Sequence, residues 1–203
     1  MSGSYPTTPA FRSVSFRSEH TALVDVAQSG KRTARDFGGH RWRFGVAHSR
    51  LTADNFWPLY AFLLKQWGRF ESFQIVLPDK ATPRGVAGGG GVGTPLVNGA
   101  AQSARSLITD GWTANVTAML KAGDVFKLVG HAKVYMLTAD ASTNGLGQTT
   151  LTFEPALRQS PADNEALTIY SVPFTVMLSD EQLSYETTPP AFYALAFEVE
   201  EAL

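Results

Sequence analysis

The chain has 203 residues, of which 44% are hydrophobic and 17% charged, and its formal net charge is −1. It contains no cysteine, which excludes disulfides and thiolate metal sites. No apolar run approaches the ~18 residues that a membrane-spanning helix needs, and the N-terminal residues lack the apolar segment of a secretory signal. We therefore expect a soluble protein, made in a cytoplasm and without stable membrane insertion.

The charge is unevenly distributed along the chain. Residues 1–84 hold 12 Lys and Arg against 6 Asp and Glu, a net +6, whereas residues 85–203 hold 5 against 12, a net −7. Such asymmetry favours either contact of the basic half with nucleic acid or electrostatic pairing between copies of the chain. Composition alone does not choose between these two interpretations.

The first predicted elements are strands and a hairpin arm. Residues 13–27 mix alternation with β-branched residues, which predicts strands. Residues 29–50 carry turn signals at Ser29-Gly30 and Gly38-Gly39, and they predict an extended arm. In the segment HRWRFGVAH the aromatic residues and arginines alternate with a period of two. One face of this strand is therefore predicted to be apolar and the other basic.

Basic and aromatic residues are concentrated in this arm. Such a ribbon could bind nucleic acid through phosphate contacts and stacking. The total charge is not basic, however, and no known nucleic-acid motif is present. An arm at a subunit interface is favoured, because Arg and Trp are frequent interface anchors. The candidate interface residues are Lys31, Arg32, Arg35, Arg41, Trp42, Arg43 and Phe44.

One helix is predicted, at about residues 55–67. Asn55 is the favoured cap, because Pro58 is tolerated in the first turn of a helix that begins there. A helix that begins at Thr52 would be kinked by the same proline. Gly68 is a natural stop, and an apolar strand follows it. Residues at i, i+3 and i+4 spacing form the predicted core face, namely Phe56, Leu59, Tyr60, Leu63 and Trp67.

The segment GVAGGGGVGTP, residues 85–95, contains six glycines. Glycine-rich loops can hold phosphates, but Thr94 stands where a Walker A loop has its lysine, and Pro95 follows. No strand–loop–helix unit surrounds the segment, as a dinucleotide site would require. We therefore interpret residues 85–94 as a flexible loop, with a hinge at Gly88, Gly89, Gly90 and Gly91.

Residues 95–170 have the pattern of a small antiparallel β-barrel or sandwich, because short strands alternate with turns such as Asn144-Gly145. Residues 171–203 add two strands, with a turn predicted at Pro189-Pro190. The predicted fold class is mainly β, with a β-barrel or sandwich core and one packed helix. That core comprises residues 1–84 and about 171–203, and residues 95–170 form an inserted barrel-like module.

The sequence contains no recognisable catalytic motif. No serine lies in a G-x-S-x-G elbow, and the acid pairs near the C-terminus are explained equally well by a solvated face. The four histidines, His20, His40, His48 and His131, are scattered and have no metal-binding spacing. We therefore expect no enzymatic activity, no metal and no cofactor.

Two segments have a distinctive order of aromatic, Gly and Pro positions. In RLTADNFWPLYAFLLKQWGRFESFQIVLPD a helix ends in an aromatic–Gly step and leads through ESF into an apolar strand closed by Pro. In LKAGDVFKLVGHAKVYMLTADASTNGLGQTTLTFEPALRQSP an AGD turn precedes a strand with a KVY step and then TLTFEPALR. Together they cover roughly residues 50–80 and 119–161. The chain thus resembles lambda-like minor tail proteins and distal tail proteins of long-tailed phages.

This resemblance implies a ring at the distal end of the tail tube, whose lumen passes DNA during ejection. Six copies would match the symmetry of the tube. The expected partners are further copies of the chain, the tail tube protein and other proteins of the tail tip or hub. The expected location is the virion, after assembly in the host cytoplasm. Lambda-like minor tail proteins are much shorter, so residues 85–170 are expected to be an outward module.

Two alternatives remain at the level of sequence. Residues 95–170 could bind a carbohydrate or protein of the host surface, with Trp112 and Tyr135 stacking on sugars, although a core role of these aromatics is favoured. The basic ribbon could instead bind nucleic acid, with an affinity that depends on Arg41 and Arg43.

Overall fold

The computed structural model describes residues 2–188 and 191–203, and these residues are mainly β with one α-helix. The predicted fold class is confirmed. The predicted turn at Pro189-Pro190 lies outside the described residues. In chain order the elements are β1 (Phe11–Glu19), β2 (Ala22–Val26), β3 (Arg32–Asp36), β4 (Arg41–His48), α1 (Ala53–Leu64), β5 (Phe73–Val76), β6 (Gly93–Val97), β7 (Ser106–Trp112), β8 (Val125–Leu128), β9 (Val134–Leu137), β10 (Thr149–Glu154), β11 (Leu167–Thr168), β12 (Pro173–Leu178), β13 (Tyr185–Thr188) and β14 (Phe192–Glu201).

The chain divides into two compact units. The first comprises the described residues of 2–73 and 176–202, and the second comprises residues 74–175 with Leu203. The chain leaves the first unit within β5 and returns within β12, and these two strands are neighbours in one sheet. The sequence analysis placed the first boundary at the glycines and the charge change, after residue 84, and the second at about residue 171, because turn and composition signals mark loops rather than strands. That residues 95–170 act as a module on a tube-forming core stays a prediction.

The sheet of the first unit forms a half-barrel with the order β1-β4-β14-β12-β5, and β13 pairs with β14. The period of two in β4 decides which residues enter the core. Trp42, Phe44 and Val46 are 1–4% exposed, whereas Arg43 and Gly45 lie on the opposite face. Burial of two large aromatic side chains in this strand contributes to the hydrophobic stability of the unit.

Helix α1 spans Ala53–Leu64, so it begins and ends earlier than predicted. Thr52 precedes it in extended conformation, and Pro58 therefore lies inside the helix rather than in its first turn. Phe56, Leu59 and Leu63 are buried, and Tyr60 is half-buried. The inclusion of Trp67 in the core face is wrong. The helix has already ended there, Trp67 has a φ of +52°, and its side chain is 74% exposed.

A buried histidine is held in the core of the first unit. The Tyr5 hydroxyl lies 2.8 Å from His48 Nε2, and both side chains are buried. Burial lowers the pKa of His48, and the neighbouring Ala10 backbone opposes this shift. Burial also raises the pKa of the Tyr5 phenol. The folded state therefore favours the uncharged forms of the His48 and Tyr5 side chains.

We expect the stability of the first unit to fall in mild acid. The folded pKa of His48 lies below its unfolded value of about 6.5, so below that pH the unfolded chain binds a proton that the folded chain does not. The stabilisation is complete above that pH and is lost as the pH falls towards the folded pKa. Urea unfolding over this range should show the decline, and His48→Gln should reduce its slope. The exposed control His20→Gln should keep the slope of the wild type, and equal slopes in both variants would contradict the assignment.

The second unit is a nearly closed barrel of six strands in the order β11-β8-β9-β10-β7-β6. A bridge between Leu96 and Ala166, with the Val97 amide donating to the Glu165 carbonyl at 2.9 Å, links the first strand to the last. Closure of this kind removes exposed sheet edges. The interior is filled by the stacked rings of Phe126 and Tyr135 and by Phe153.

Candidate subunit interface

An isolated hairpin projects polar and apolar side chains into solvent. Strands β2 and β3 pair only with each other within the described residues, and all ten of their residues are exposed. The turn is closed by Gly30, which has a φ of +78° and donates its amide to the Ala27 carbonyl at 2.8 Å. We call residues 22–36 the ribbon. It carries three of the candidate arm residues, Lys31, Arg32 and Arg35.

The ribbon also exposes large aliphatic side chains that the sequence did not mark as functional. Leu23 and Val26 are 60% and 61% exposed, and Val24 is 47% exposed. Phe37, just beyond the ribbon, lies 5.4 Å from the Arg35 guanidinium. A single two-stranded hairpin is marginally stable in water, and clustered exposed apolar residues are typical of interaction sites. From sequence these aliphatic residues of β2 resemble core residues, and only their exposure in the structure identifies them.

The other four candidate residues lie on β4 and do not belong to the ribbon. Trp42 and Phe44 are core residues of the half-barrel, so their side chains are not available as anchors of an exposed arm. Arg41 and Arg43 lie on the outer face of β4. The sequence prediction grouped both sets because turn signals and composition do not reveal where a ribbon ends and a core strand begins.

Arg41 and Arg43 contribute to an ion-pair cluster around a buried carboxylate. Glu200 is 1% exposed and accepts hydrogen bonds from Arg43 Nη2 at 2.6 Å and from Arg69 Nη2 at 2.9 Å. Arg41 Nη1 lies 3.8 Å from the same carboxylate, and Arg43 Nε lies 2.8 Å from Glu19 Oε2. The two arginines that would carry the nucleic-acid hypothesis are therefore engaged by carboxylates of their own chain.

Antiparallel pairing explains part of the charge asymmetry. Strand β14 runs beside β4 with Glu200 opposite Arg43 and Glu198 opposite Gly45. Arg17 on β1 lies 3.6 Å from Glu198. The acidic C-terminal strand thus neutralises basic residues of the N-terminal half within one chain. Neither electrostatic interpretation of the sequence included this possibility, because sequence distance hides the neighbours in a sheet.

An open groove of about 640 Å³ lies on the outer side of the half-barrel, and we call it the sheet groove. Small residues on three strands form its floor in register, with Ala47 opposite both Ser13 and Ala196. The segment that follows β12 borders it and includes Asp180. Ribbon and sheet groove both belong to the first unit.

The glycine-rich segment is hydrogen-bonded to a loop of the second unit. It forms a 3₁₀ helix over Val86–Gly89, and Ala87 is fully buried. The amides of Val86 and Ala87 donate to the carbonyls of Ala118 and Met119, each at 3.0 Å. Gly89, Gly90 and Gly91 have open space around them, whereas a side chain at Gly88 would overlap the Pro83 carbonyl. The hinge at Gly88–Gly91 stays a prediction.

Replacing Gly85 by alanine should destabilise the second unit. A Cβ there would overlap the Met119 carbonyl oxygen and lie 2.7 Å from that of Ala118, so the backbone must shift. Overpacking of this kind costs about 1–3 kcal/mol. Gly89→Ala is the matched control, because nothing lies within 4 Å of its Cβ, and it should leave stability nearly unchanged. Urea unfolding compares the two variants, and equal stability would show that the segment adapts freely.

The aromatic residues proposed to stack on sugars are inside the barrel. Tyr135 is fully buried, and its hydroxyl accepts a hydrogen bond from the Arg158 amide at 3.3 Å. Trp112 is 5% exposed, and its indole donates to Thr109 Oγ1 at 2.9 Å. Their core role is therefore the observed one, and neither ring face is available to a ligand.

The second unit matches a known protein family. Residues 87–172 match the family described as the distal tail protein pb9, B domain. This match confirms the resemblance to phage distal tail proteins, and it indicates a structural role in a phage tail and a place in the virion. A comparison of the chain with curated proteins finds no significant match. No helix within the described residues is long and apolar enough to span a membrane.

Proposed function

We propose that the protein is a structural component of a phage tail tip that forms a ring at the distal end of the tail tube. The match of residues 87–172 to the distal tail protein pb9 B domain carries this proposal. In the proposed ring the first unit associates with neighbouring copies and with the tail tube protein, and the second unit is the outward module. The lumen passes DNA, and other tail-tip or hub proteins attach below the ring.

The ribbon supports self-association. In a lone subunit the exposed Leu23 and Val26 side chains keep apolar surface in contact with water, which is unfavourable. Burying them against another molecule would stabilise both the hairpin and the contact. Arginine beside aliphatic and aromatic side chains is typical of the centre of an interface. Six copies would match a tube of sixfold symmetry, and the structural role requires no catalytic group.

Imaging of the purified full chain tests the proposal. Mass photometry and negative-stain microscopy at increasing concentration should show rings with an open centre, and the tail tube protein of the same phage should bind them. A chain that stays monomeric at every concentration and does not bind the tube would contradict the proposal. A ring with a copy number other than six would change the proposed symmetry and leave the proposed ring intact.

A further inference from the structure

We propose that the ribbon of one copy docks into the sheet groove of a neighbouring copy. The inference rests on the proposed self-association and names the two surfaces that meet. The occupant of the groove is a second copy of this chain, for reasons of shape and charge.

The shapes of the two surfaces are complementary. Val24 and Val26 are two residues apart in β2, so they lie on one face of the ribbon, opposite Ala34 and Arg32 of β3, whereas Leu23 lies on the other face. The floor of the sheet groove has small side chains where a sheet usually carries larger ones, at Gly45, Ala47 and Ala196. A floor of this kind leaves room for β-branched side chains of a second layer. A cavity of about 640 Å³ is large enough for several of them.

The charges of the two surfaces are also complementary. Arg17, Arg41, Arg43 and Arg69 are paired with carboxylates of their own unit. Within the described residues Lys31 and Arg32 at the ribbon tip have no ion pair, and neither have Asp180 and Glu181 beside the groove. Two unpaired cations thus lie at the ribbon tip and two unpaired acids beside the groove, and their attraction favours and orients docking, although the ribbon also carries Asp25 and Asp36 and has a net charge of only +1.

A contact between two different surfaces has a consequence for assembly. Each copy offers one ribbon and one sheet groove, so the interface is heterologous and adds copies head to tail. Such a chain of contacts closes into a ring when the rotation per copy divides the circle. The same two surfaces thus account for a ring without any further contact.

Complementation between two defective variants tests this arrangement. Val24→Asp/Val26→Asp disables the ribbon and keeps the groove, whereas Ala196→Trp fills the groove and keeps the ribbon. Each variant alone should be monomeric, with association at least roughly tenfold weaker than that of the wild type. Their mixture should form a one-to-one dimer that grows no further, measured by native mass spectrometry. Asp180→Lys/Glu181→Lys replaces Ala196→Trp if the latter does not fold, as judged by circular dichroism.

Each outcome has one meaning for the inference. A one-to-one dimer in the mixture supports it. If the groove variants still self-associate as the wild type does, or if the mixture stays monomeric, the ribbon docks elsewhere and the inference is wrong, although wild-type rings would leave the proposed function intact. A wild-type chain that never self-associates removes the proposed function and this inference together.

Discussion

A Val24→Asp/Val26→Asp variant is expected to stay monomeric under conditions in which the wild-type chain assembles. Both valines lie in the exposed ribbon, at 47% and 61% exposure, so the substitutions bury no charge in the isolated chain and should leave its fold intact. In an interface the same carboxylates would replace apolar side chains and would have to be desolvated, which disfavours association. Mass photometry gives the distribution of copy numbers directly.

Leu146→Asp is the matched control for this experiment. Leu146 is 80% exposed and lies in a turn of the second unit, so the variant exchanges one exposed aliphatic side chain for a carboxylate, as each ribbon substitution does, at a site outside the ribbon. We expect it to assemble as the wild type does. If the ribbon variant still assembles, the ribbon is not needed for assembly and the predicted interface arm is wrong. If the control is equally defective, the loss of assembly is not specific to the ribbon, which also contradicts the prediction.

The second large effect is expected at Glu200. Its carboxylate is 1% exposed and is shared by Arg41, Arg43 and Arg69. Glu200→Ala leaves three neighbouring guanidinium groups without their common counter-charge. Removing one partner of a buried ion pair typically costs about 3–5 kcal/mol. The arginine side chains are almost half exposed and can rehydrate, so a loss of about 2–3 kcal/mol is expected in urea unfolding of the first unit.

Glu198→Ala provides the comparison on the same strand. Glu198 lies two residues before Glu200, its side chain is 58% exposed, and its pairing distance to Arg17 is 3.6 Å. An exposed pair of this kind contributes about 0–1 kcal/mol. High salt should weaken the small effect at Glu198 more than the effect at Glu200, because buried pairs are screened less. Similar losses at both positions would mean that burial of Glu200 is not the cause.

The strand pattern and the barrel could be read from the sequence because they depend on local periodicity. The alternation of Trp42, Phe44 and Val46 with polar or small residues appears in the structure as a strand with one buried face. Short strands separated by glycine turns likewise predicted the second unit. These signals are local, and no long-range information is needed to recognise them.

The composition of the candidate interface could not be predicted in the same way. Arg32 and Arg43 look alike in sequence, yet one lies on an exposed ribbon and the other beside Glu200, which is 157 residues further along the chain. Helix propensity and spacing also failed to separate Trp67 from the buried face, because the helix ends at Leu64 and tertiary packing decides that end. Local sequence patterns do not predict which strands pair when those strands are far apart along the chain.

The adjacency of β5 and β12 has a consequence for how such proteins diversify. The chain leaves the first unit and returns to it through neighbouring strands, so both ends of the intervening residues belong to adjacent strands of one sheet. A segment of different length or sequence can be exchanged there, by recombination between genomes, without altering how the remaining strands pair. Under the proposed function, a virus lineage would retain its tube-binding scaffold while acquiring new appendages at a single genetic cassette.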